Sequence, residues 1–497
     1  MEGFPILSLI MLSPLAAVIL LLFVDDARVA LVRGIAIAST ATSLALSLYL
    51  LFIYDKVKGG FQFIEKIEWV QSLGISYHLG VDGISVAMVL LTSIVIFTGV
   101  FVSWVGIKHR IREHYMFLLL LVAGVYGVFM SLDLVFFFLF YELAVIPMYP
   151  LIGIWGSANR EYATMNLTLY LSLGAMIALL GLLSLYFTAG AKTGVYTFDM
   201  LQIASLSYES GYQIKVFLPL LFGFGVLVPL APFHSWSPTG HAAAPSAVSM
   251  LHAGVLMKLG AYGILRAMWI LPEGAQFWMP WVAGLSLINI FYGGMVAMSR
   301  RDMKFMIGYS SSSHMGYVLL GIATVNIIGV NGAVLLMFAH GVMTALAFSL
   351  IGFVYDQAHT RMIYDFSGLA KKVPFVAVAF AIMGFASSGL PGLANFVAEL
   401  MVFIGAFKEY PVHAIIAVFG IIVTATYMLR CMRDVFFREP MEKWDDLRDA
   451  STFVERLPFV FLIAVLLIVG FYPSVLVDVI NSGVVPLVNK LNAAQVG

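Results

Sequence analysis

The sequence predicts an all-α polytopic membrane protein of about fourteen spanning helices, and three observations carry that prediction. Of 497 residues, 61% are hydrophobic and 11% charged, and the mean hydropathy is +0.98; a soluble domain has about one quarter of its residues charged. The apolar residues fall into runs of roughly 20, the length a helix needs to cross a bilayer, whereas the strands of a membrane barrel alternate over about ten. The basic residues are unevenly divided between alternate loops, as the two sides of a membrane require.

In chain order the spans are 5–24, 30–53, 80–104, 114–130, 132–153, 162–187, 214–236, 245–269, 278–299, 305–328, 331–355, 373–404, 412–436 and 457–480, called spans 1 to 14 below. The first is too long and too poorly flanked for a cleaved signal peptide and reads as a spanning helix. Two longer connections, 54–79 and 188–213, are too short to form a separate soluble domain, so no nucleotide-binding or redox-cofactor domain is expected. The single cysteine, Cys431, excludes an internal disulfide and a thiolate metal site, and the zero net charge argues against nucleic acid as a partner. Eighteen Lys and Arg follow odd-numbered spans, and seven lie on the other side. The positive-inside rule then places the odd-numbered loops in the cytoplasm and both termini on the outer, periplasmic side.

Residues 214–266 organise the chain. This nearly apolar stretch holds Pro219, Pro229, Pro232, Pro238 and Pro245, together with His234, His241, His252 and, deep inside a helix-length apolar run, Lys258. Proline removes a backbone donor and breaks helices, so VPLAPFH interrupts span 7. Five spans later, GLPGLANF interrupts span 12. Helices five apart run in opposite directions, so the two breaks are what two inverted five-helix repeats would produce, spans 4–8 and spans 9–13, each with a discontinuous helix at mid-membrane depth. The division expected is 1–110 for spans 1–3, 111–269 for the first repeat, 270–440 for the second and 441–497 for span 14 and a tail.

Ionisable residues inside a membrane are costly and therefore functional candidates. Glu142 is the sole acid of span 5 past Asp133 at its start, within a phenylalanine-rich run. Lys258 lies thirteen residues past Pro245, about 20 Å of helix, where snorkelling to an interface is strained; a lysine so placed can relay protons. Glu399 follows the span 12 break, and His340 is a lone imidazole in span 11. His314 stands among serines that can hold water, and His252 is a relay or a packing residue. His234 and His241 are expected beside the span 7 break, in contact with solvent or loop. Histidine titrates near neutrality and suits proton exchange. These groups can carry protons laterally, and a carboxylate beside a broken helix can equally make a sodium site. No catalytic triad, metal shell or phosphate loop is present in the sequence.

With LGVDGIS at 79–85, YELAVIPMYPLIGIWG at 141–156, PFHSWSPTGHAAAP at 232–245, LHAGVLMKLGAYG at 251–263, RRDMKFMIGYSSSSHMGYVLLG at 300–321, FAHGVMTALAF at 338–348 and LPGLANFVAEL at 390–400, the chain resembles the proton-conducting membrane subunits of respiratory complex I. These are related to subunits of multisubunit sodium/proton antiporters. Within that group it is similar to the chain M, or chain 4, family of NADH-quinone oxidoreductase; the chain L relatives usually carry lysine where Glu399 stands and continue into a long lateral helix. The resemblance implies fourteen helices in two inverted repeats and a proton path through Glu142, Lys258, His340 and Glu399. It assigns Arg160, Asp302 and Lys304 to holding structure on the cytoplasmic side.

It also implies partners. Other membrane subunits, neighbouring antiporter-like ones among them, would contact this chain alongside lipid. No cofactor or metal is expected here: NADH or another donor, FMN, iron–sulfur clusters and quinone would belong elsewhere in the complex, leaving this chain a non-redox subunit of a proton-translocating inner-membrane enzyme. Three departures stand out. The lysine usual before the Pro-x-x-Pro break of span 7 is Leu227, a common lysine early in span 6 is Asn166, and the acid usual in AHxEAP is Ala243. Three charged positions near one half-channel are thus neutral together. The alternatives are a sodium/proton antiporter subunit, a membrane subunit of a ferredoxin-, formate- or hydrogen-linked relative, and a structural spacer whose path is broken at Leu227.

Overall fold

The computed structural model describes residues 4–157 and 159–494. Fourteen spans are present where the sequence places them, with shifted ends. Spans 1 to 4 are Ile6–Leu22, Val29–Ile53, Gly83–Gly106 and Ile111–Met130. Span 5 is two pieces, Leu134–Val145 and Met148–Trp155; Pro147 has no N–H to continue the helical ladder, so this span too is interrupted. Span 6 is Arg160–Thr193, span 9 Pro272–Ser299, span 10 Met303–Ala323 and span 11 Ile327–Ala358. Span 13 is Pro411–Phe436 and span 14 Phe453–Phe471.

Spans 7 and 12 are broken as expected. Span 7 runs Ser210–Leu227, pauses over the proline-rich 228–235, and resumes as Trp236–Ala243. That second half extends the span seven residues beyond its sequence-based end, through residues read as loop. Span 12 is Pro374–Ser387 followed by Ala394–Glu409. Span 8 is Ser246–Leu251 and Met257–Ile270 joined by a π-helical turn at His252–Leu256.

Two further features depart from the sequence reading. The 54–79 connection is not plain loop: Gln62–Val70 and Ile75–Val81 pair as an antiparallel hairpin, the one sheet among the described residues. The segment after span 14 is a further helix, Ser474–Ala493, long and apolar enough to cross a membrane by composition. Its contacts exclude a crossing. Val479 lies against Gly83 at the start of span 3, and Asn481 accepts a hydrogen bond from Asn331 at the start of span 11. Lys490 donates to Ala204 in the span 6–7 connection, and Gln276 at the start of span 9 donates to Leu491. All these groups sit at one ends' face of the bundle, so the helix lies across that face.

The chain's start belongs to the same face: the backbone N–H groups of Leu7 and Ser8 donate to Glu65 of the hairpin at 2.9 and 3.1 Å. Ser76 of the hairpin donates to Asp133, which caps span 5, and Lys66 pairs with Asp199 of the span 6–7 connection at 2.7 Å. Burial alone would raise the Asp199 carboxyl, but His78 and Lys66 outweigh it and hold the group well below the usual carboxylate range. The opposite face gathers the odd-numbered loops. Asp302 caps span 10 and pairs with Arg361 at 2.6 Å; Arg361 and Lys304 donate to the carbonyls of Ala242 and Ala244 at the end of span 7. Spans 3, 8 and 11 form the centre: the apolar windows of spans 8 and 11 are wholly buried.

Candidate functional site

Spans 8 and 11 cross in direct contact because each has a glycine there. A Cβ on Gly341 would meet the carbonyl oxygen of Gly254 at 2.6 Å, and one on Gly254 would meet the carbonyl oxygen of Gly341 at 3.2 Å. Gly254 lies inside the π-helical turn. Such turns interrupt the regular ladder and are frequent at functional sites. Lys258 follows two residues after this turn, and its amine donates back to the Ala253 carbonyl. The same amine stands 2.9 Å from Nδ1 of His340, one residue before Gly341. Both side chains are 0% exposed.

The line continues through span 10. The ring of His340 lies 5.1 Å from that of His314, centre to centre. His314 is held by the carbonyl of Ser310, 2.8 Å from Nδ1, and by the carbonyl of Ser387, 3.1 Å from Nε2. Ser387 is the last helical residue before the span 12 break, so the break supplies this carbonyl. Nε2 also stands 3.7 Å from the Glu399 carboxylate. Glu399 is 3% exposed, and space for it comes from Gly389, whose φ of +68° favours glycine and where a Cβ would meet Oε2 at 2.6 Å. Lys258, His340, His314 and Glu399 thus form one buried line across spans 8, 11, 10 and 12.

Several polar atoms beside this line have no partner among the described residues: Nε2 of His340, Oγ of Ser387 and both side-chain polar atoms of Asn395. Buried polar groups are nearly always hydrogen-bonded, and water is the ordinary partner in such a place.

The other two candidates stand differently. His252 packs beside His241, ring centres 4.0 Å apart, and stacks on Trp236; both its ring nitrogens are unpartnered among the described residues. His241 is not at solvent or in a loop, as its place near the break suggested. It is 0% exposed on the second half of span 7, hydrogen-bonded to Ser237 at 3.1 Å. Burial of Trp236–Ala243 as a helix is the reason, and a loop reading hides it. His234 lies against the ring of Tyr292. Glu142 is half-buried on span 5, and among the described residues it forms no ion pair and its carboxylate makes no hydrogen bond. Leu227 is fully buried where span 7 meets span 8: a Cβ on Gly260, two residues past Lys258, would meet the Leu227 backbone at 3.1 Å.

Sequence reasoning missed a second buried charge pair. Arg266, at the far end of span 8, forms a two-point pair with Asp82 at 2.7 and 2.8 Å and also donates to Ser85 and Tyr262. Asp82 is the acid of LGVDGIS and caps span 3. The signal was an arginine at the end of an apolar run together with an acid before another. Among the described residues no group of three or more His, Cys, Asp or Glu is arranged to hold a metal ion.

A bundle with interrupted spans 7 and 12 and a line of buried ionisable groups across its middle defines the class of antiporter-like, proton-translocating membrane subunits. Residues 131–424 match the NADH:quinone oxidoreductase/Mrp antiporter transmembrane family, and the chain belongs to that family. It is 36% identical over 480 residues to F(420)H(2) dehydrogenase subunit M of Methanosarcina mazei, covering 95% of this chain and 96% of that one. It is 36% identical over 501 residues to NADH-quinone oxidoreductase subunit M of Rhodobacter capsulatus, covering 98% and 97%. Among solved structures it superposes on a chain of respiratory complex I from Thermus thermophilus with TM-score 0.89 at 27% identity, over 98% of this chain and 99% of that one. It also superposes on a chain of the Mrp complex from Dietzia sp. with TM-score 0.86 at 21% identity, over 99% of each, which speaks for the fold.

Proposed function

We propose that this chain moves protons laterally through the membrane along Lys258, His340, His314 and Glu399, as a non-redox subunit of a complex I-like quinone oxidoreductase. Electron transfer in other subunits supplies the driving force. The observation that carries this reading is the 2.9 Å contact between the Lys258 amine and His340 at the glycine crossing of spans 8 and 11. A charge at one of these groups stabilises or opposes a charge at the next, so a proton arriving at one end changes proton occupancy at the other. The unpartnered polar atoms around His340 and Asn395 suit water as the link between Lys258 and Glu399. His252 and His241 form a side branch from the second half of span 7 towards Lys258.

Glu142 belongs to the first half of the path, but it works without the span 7 lysine, since Leu227 occupies that place against span 8. The repeats are 111–269 and 270–440, flanked by 1–110 and 441–497. Both termini, the hairpin and the helix Ser474–Ala493 lie on the periplasmic side of the inner membrane, and the arginine-rich odd-numbered loops in the cytoplasm. Electron donors named in the relatives, NADH and F(420)H(2), define two assemblies this chain suits; NADH is our reading. The second reading is a sodium/proton antiporter subunit, since the matching family takes in Mrp antiporters as well as quinone oxidoreductases.

The test is proton pumping per electron in inverted membrane vesicles carrying Lys258→Ala or Glu399→Gln. Quinone reduction should continue while the ratio of protons to electrons falls. An undiminished ratio in both variants would remove these residues from the path. Pumping that requires sodium and proceeds without an electron donor would select the antiporter.

A further inference from the structure

A cavity of about 430 Å³ opens on the odd-loop face of the second half, between the ends of spans 9 and 13 and the connection after span 11. It is separate from the buried line and no step above uses it. Its polar lining includes Arg300 and Arg301 from the turn after span 9, Tyr427, Arg430 and Asp434 from span 13, and Arg438 two residues past the end of that span. Four guanidinium groups therefore face one carboxylate. Asp434 is shared between Arg430 at 3.9 Å, Arg438 at 2.9 Å and Arg433 at 2.8 Å, so it neutralises at most one of them. Arg300 is held in place by the ring of Tyr309 at 4.8 Å. Neither Arg300 nor Arg301 has an ion-pair partner among the described residues. Side chains of Arg430 and Arg438 are 62% and 55% exposed, so the charge is presented at the mouth.

The surroundings identify the anion's source. Spans 9 and 13 lead to this mouth with large apolar side chains outward: Tyr292 and Met295 on one, Phe419 and Ile422 on the other, 49–60% exposed. A free anion would use none of that surface, whereas acyl chains cover it. Basic pockets between spanning helices on the cytoplasmic side suit phospholipid headgroups, and guanidinium groups match phosphate in two-point geometry. The two acceptors add a preference. Tyr427 spends its hydroxyl proton on Ser310 at 2.6 Å, so it offers only lone pairs to the cavity, and Asp434 offers carboxylate oxygens. Hydroxyl groups beside the phosphate would satisfy both.

We propose that this cavity binds the headgroup of one anionic phospholipid, a phosphodiester carrying free hydroxyls as in phosphatidylglycerol, with its chains on spans 9 and 13. The site sits two hydrogen-bonding groups, Tyr427 and Ser310, from His314.

The assembled complex in phosphatidylcholine nanodiscs, doped with a photoactivatable phosphatidylglycerol, tests this. Labelled peptides should concentrate on the outward faces of spans 9 and 13 near the cavity. Excess unlabelled phosphatidylglycerol should suppress that labelling, and millimolar inorganic phosphate should leave it unchanged. Arg430→Gln with Arg438→Gln should lower labelling roughly tenfold or more, from about one unit of interaction per basic residue; Arg430→Lys with Arg438→Lys should largely keep it. Asp434→Asn should raise it. Labelling spread evenly over the bundle, or unchanged in the Gln pair, overturns the proposal. Displacement by inorganic phosphate overturns it as well, because the site then takes a free anion. If the Gln pair does not assemble, the competition on the unaltered chain decides the matter.

Discussion

Adding a single methyl group at Gly341 should disconnect the buried line without touching any ionisable group. A Cβ there would stand 2.6 Å from the Gly254 carbonyl oxygen and 2.8 Å from a methyl of Leu91. The first neighbour is backbone and cannot rotate away. To reach an ordinary contact the 2.6 Å must open to 3.4 Å, so spans 8 and 11 separate by about 0.8 Å at their crossing. Carried to the neighbouring residue, the same separation lengthens the Lys258–His340 contact from 2.9 Å to about 3.7 Å, beyond hydrogen-bonding distance. Overpacking of this kind costs about 1–3 kcal/mol, which a large bundle survives. Gly341→Ala should therefore assemble, reduce quinone normally and pump fewer protons per electron. Gly284→Ala is the control, since a Cβ on that residue meets nothing within 4 Å. The assay is acidification of inverted vesicles against electron flux. A Gly341→Ala complex with a full proton-to-electron ratio would show that the contact between spans 8 and 11 does not carry the proton.

Three further outcomes follow from the structure. Asp82→Asn leaves the buried Arg266 guanidinium without its counter-charge and should destabilise the bundle by about 3–5 kcal/mol, read as a fall in thermal unfolding temperature; Asp82→Leu with Arg266→Met should cost clearly less than either single change. Leu227→Lys restores a charge beside span 8 and should alter the pH dependence of pumping; an identical profile in an assembled complex would detach this position from the first half of the path. The depressed Asp199 carboxyl contributes stability that is full above the ordinary carboxylate range near pH 4 and disappears as pH falls through its lower folded value. Hydrogen exchange of the hairpin 62–81 should accordingly be faster in Asp199→Asn than in the unaltered chain at neutral pH, with the two converging in acid.

The spans and both principal breaks were legible because apolar run length and proline placement are local signals. Lys258, His340, His314 and Glu399 were legible as costly residues in apolar surroundings. Their order was not, because the line exists only where spans 8, 11, 10 and 12 are brought together by Gly254, Gly341 and the break after Ser387. The second half of span 7 escaped notice since Ser235, Pro238, Thr239 and Gly240 dilute its hydropathy, and with it went the burial of His241. The hairpin is hidden by its polar, solvent-facing strand, whose Glu65, Lys66 and Glu68 read as loop. Ser474–Ala493 is the reverse case: its composition suits a crossing, and only its partners at Gly83, Asn331 and Gln276 lay it flat. Glu142 was legible as a costly acid in an apolar run, and among the described residues it has no ion-pair partner, while Leu227 stands against span 8.

The flat helix Ser474–Ala493 has a mechanical consequence. It is fastened to span 3 at Gly83, to the span 6–7 connection through Lys490, to span 9 through Gln276 and to span 11 through Asn331. These anchor points are spread over spans 3 to 11, so the helix acts as a strap across that face of the bundle. A carrier that rocks one half against the other must shear such a strap at every cycle. A relay of side chains and water needs no rocking, only small local rearrangements beneath a fixed lid. The strap thus favours conduction through a stationary frame over transport by a moving one, and cutting the chain after Phe471 would remove that fastening while leaving the crossing of spans 8 and 11.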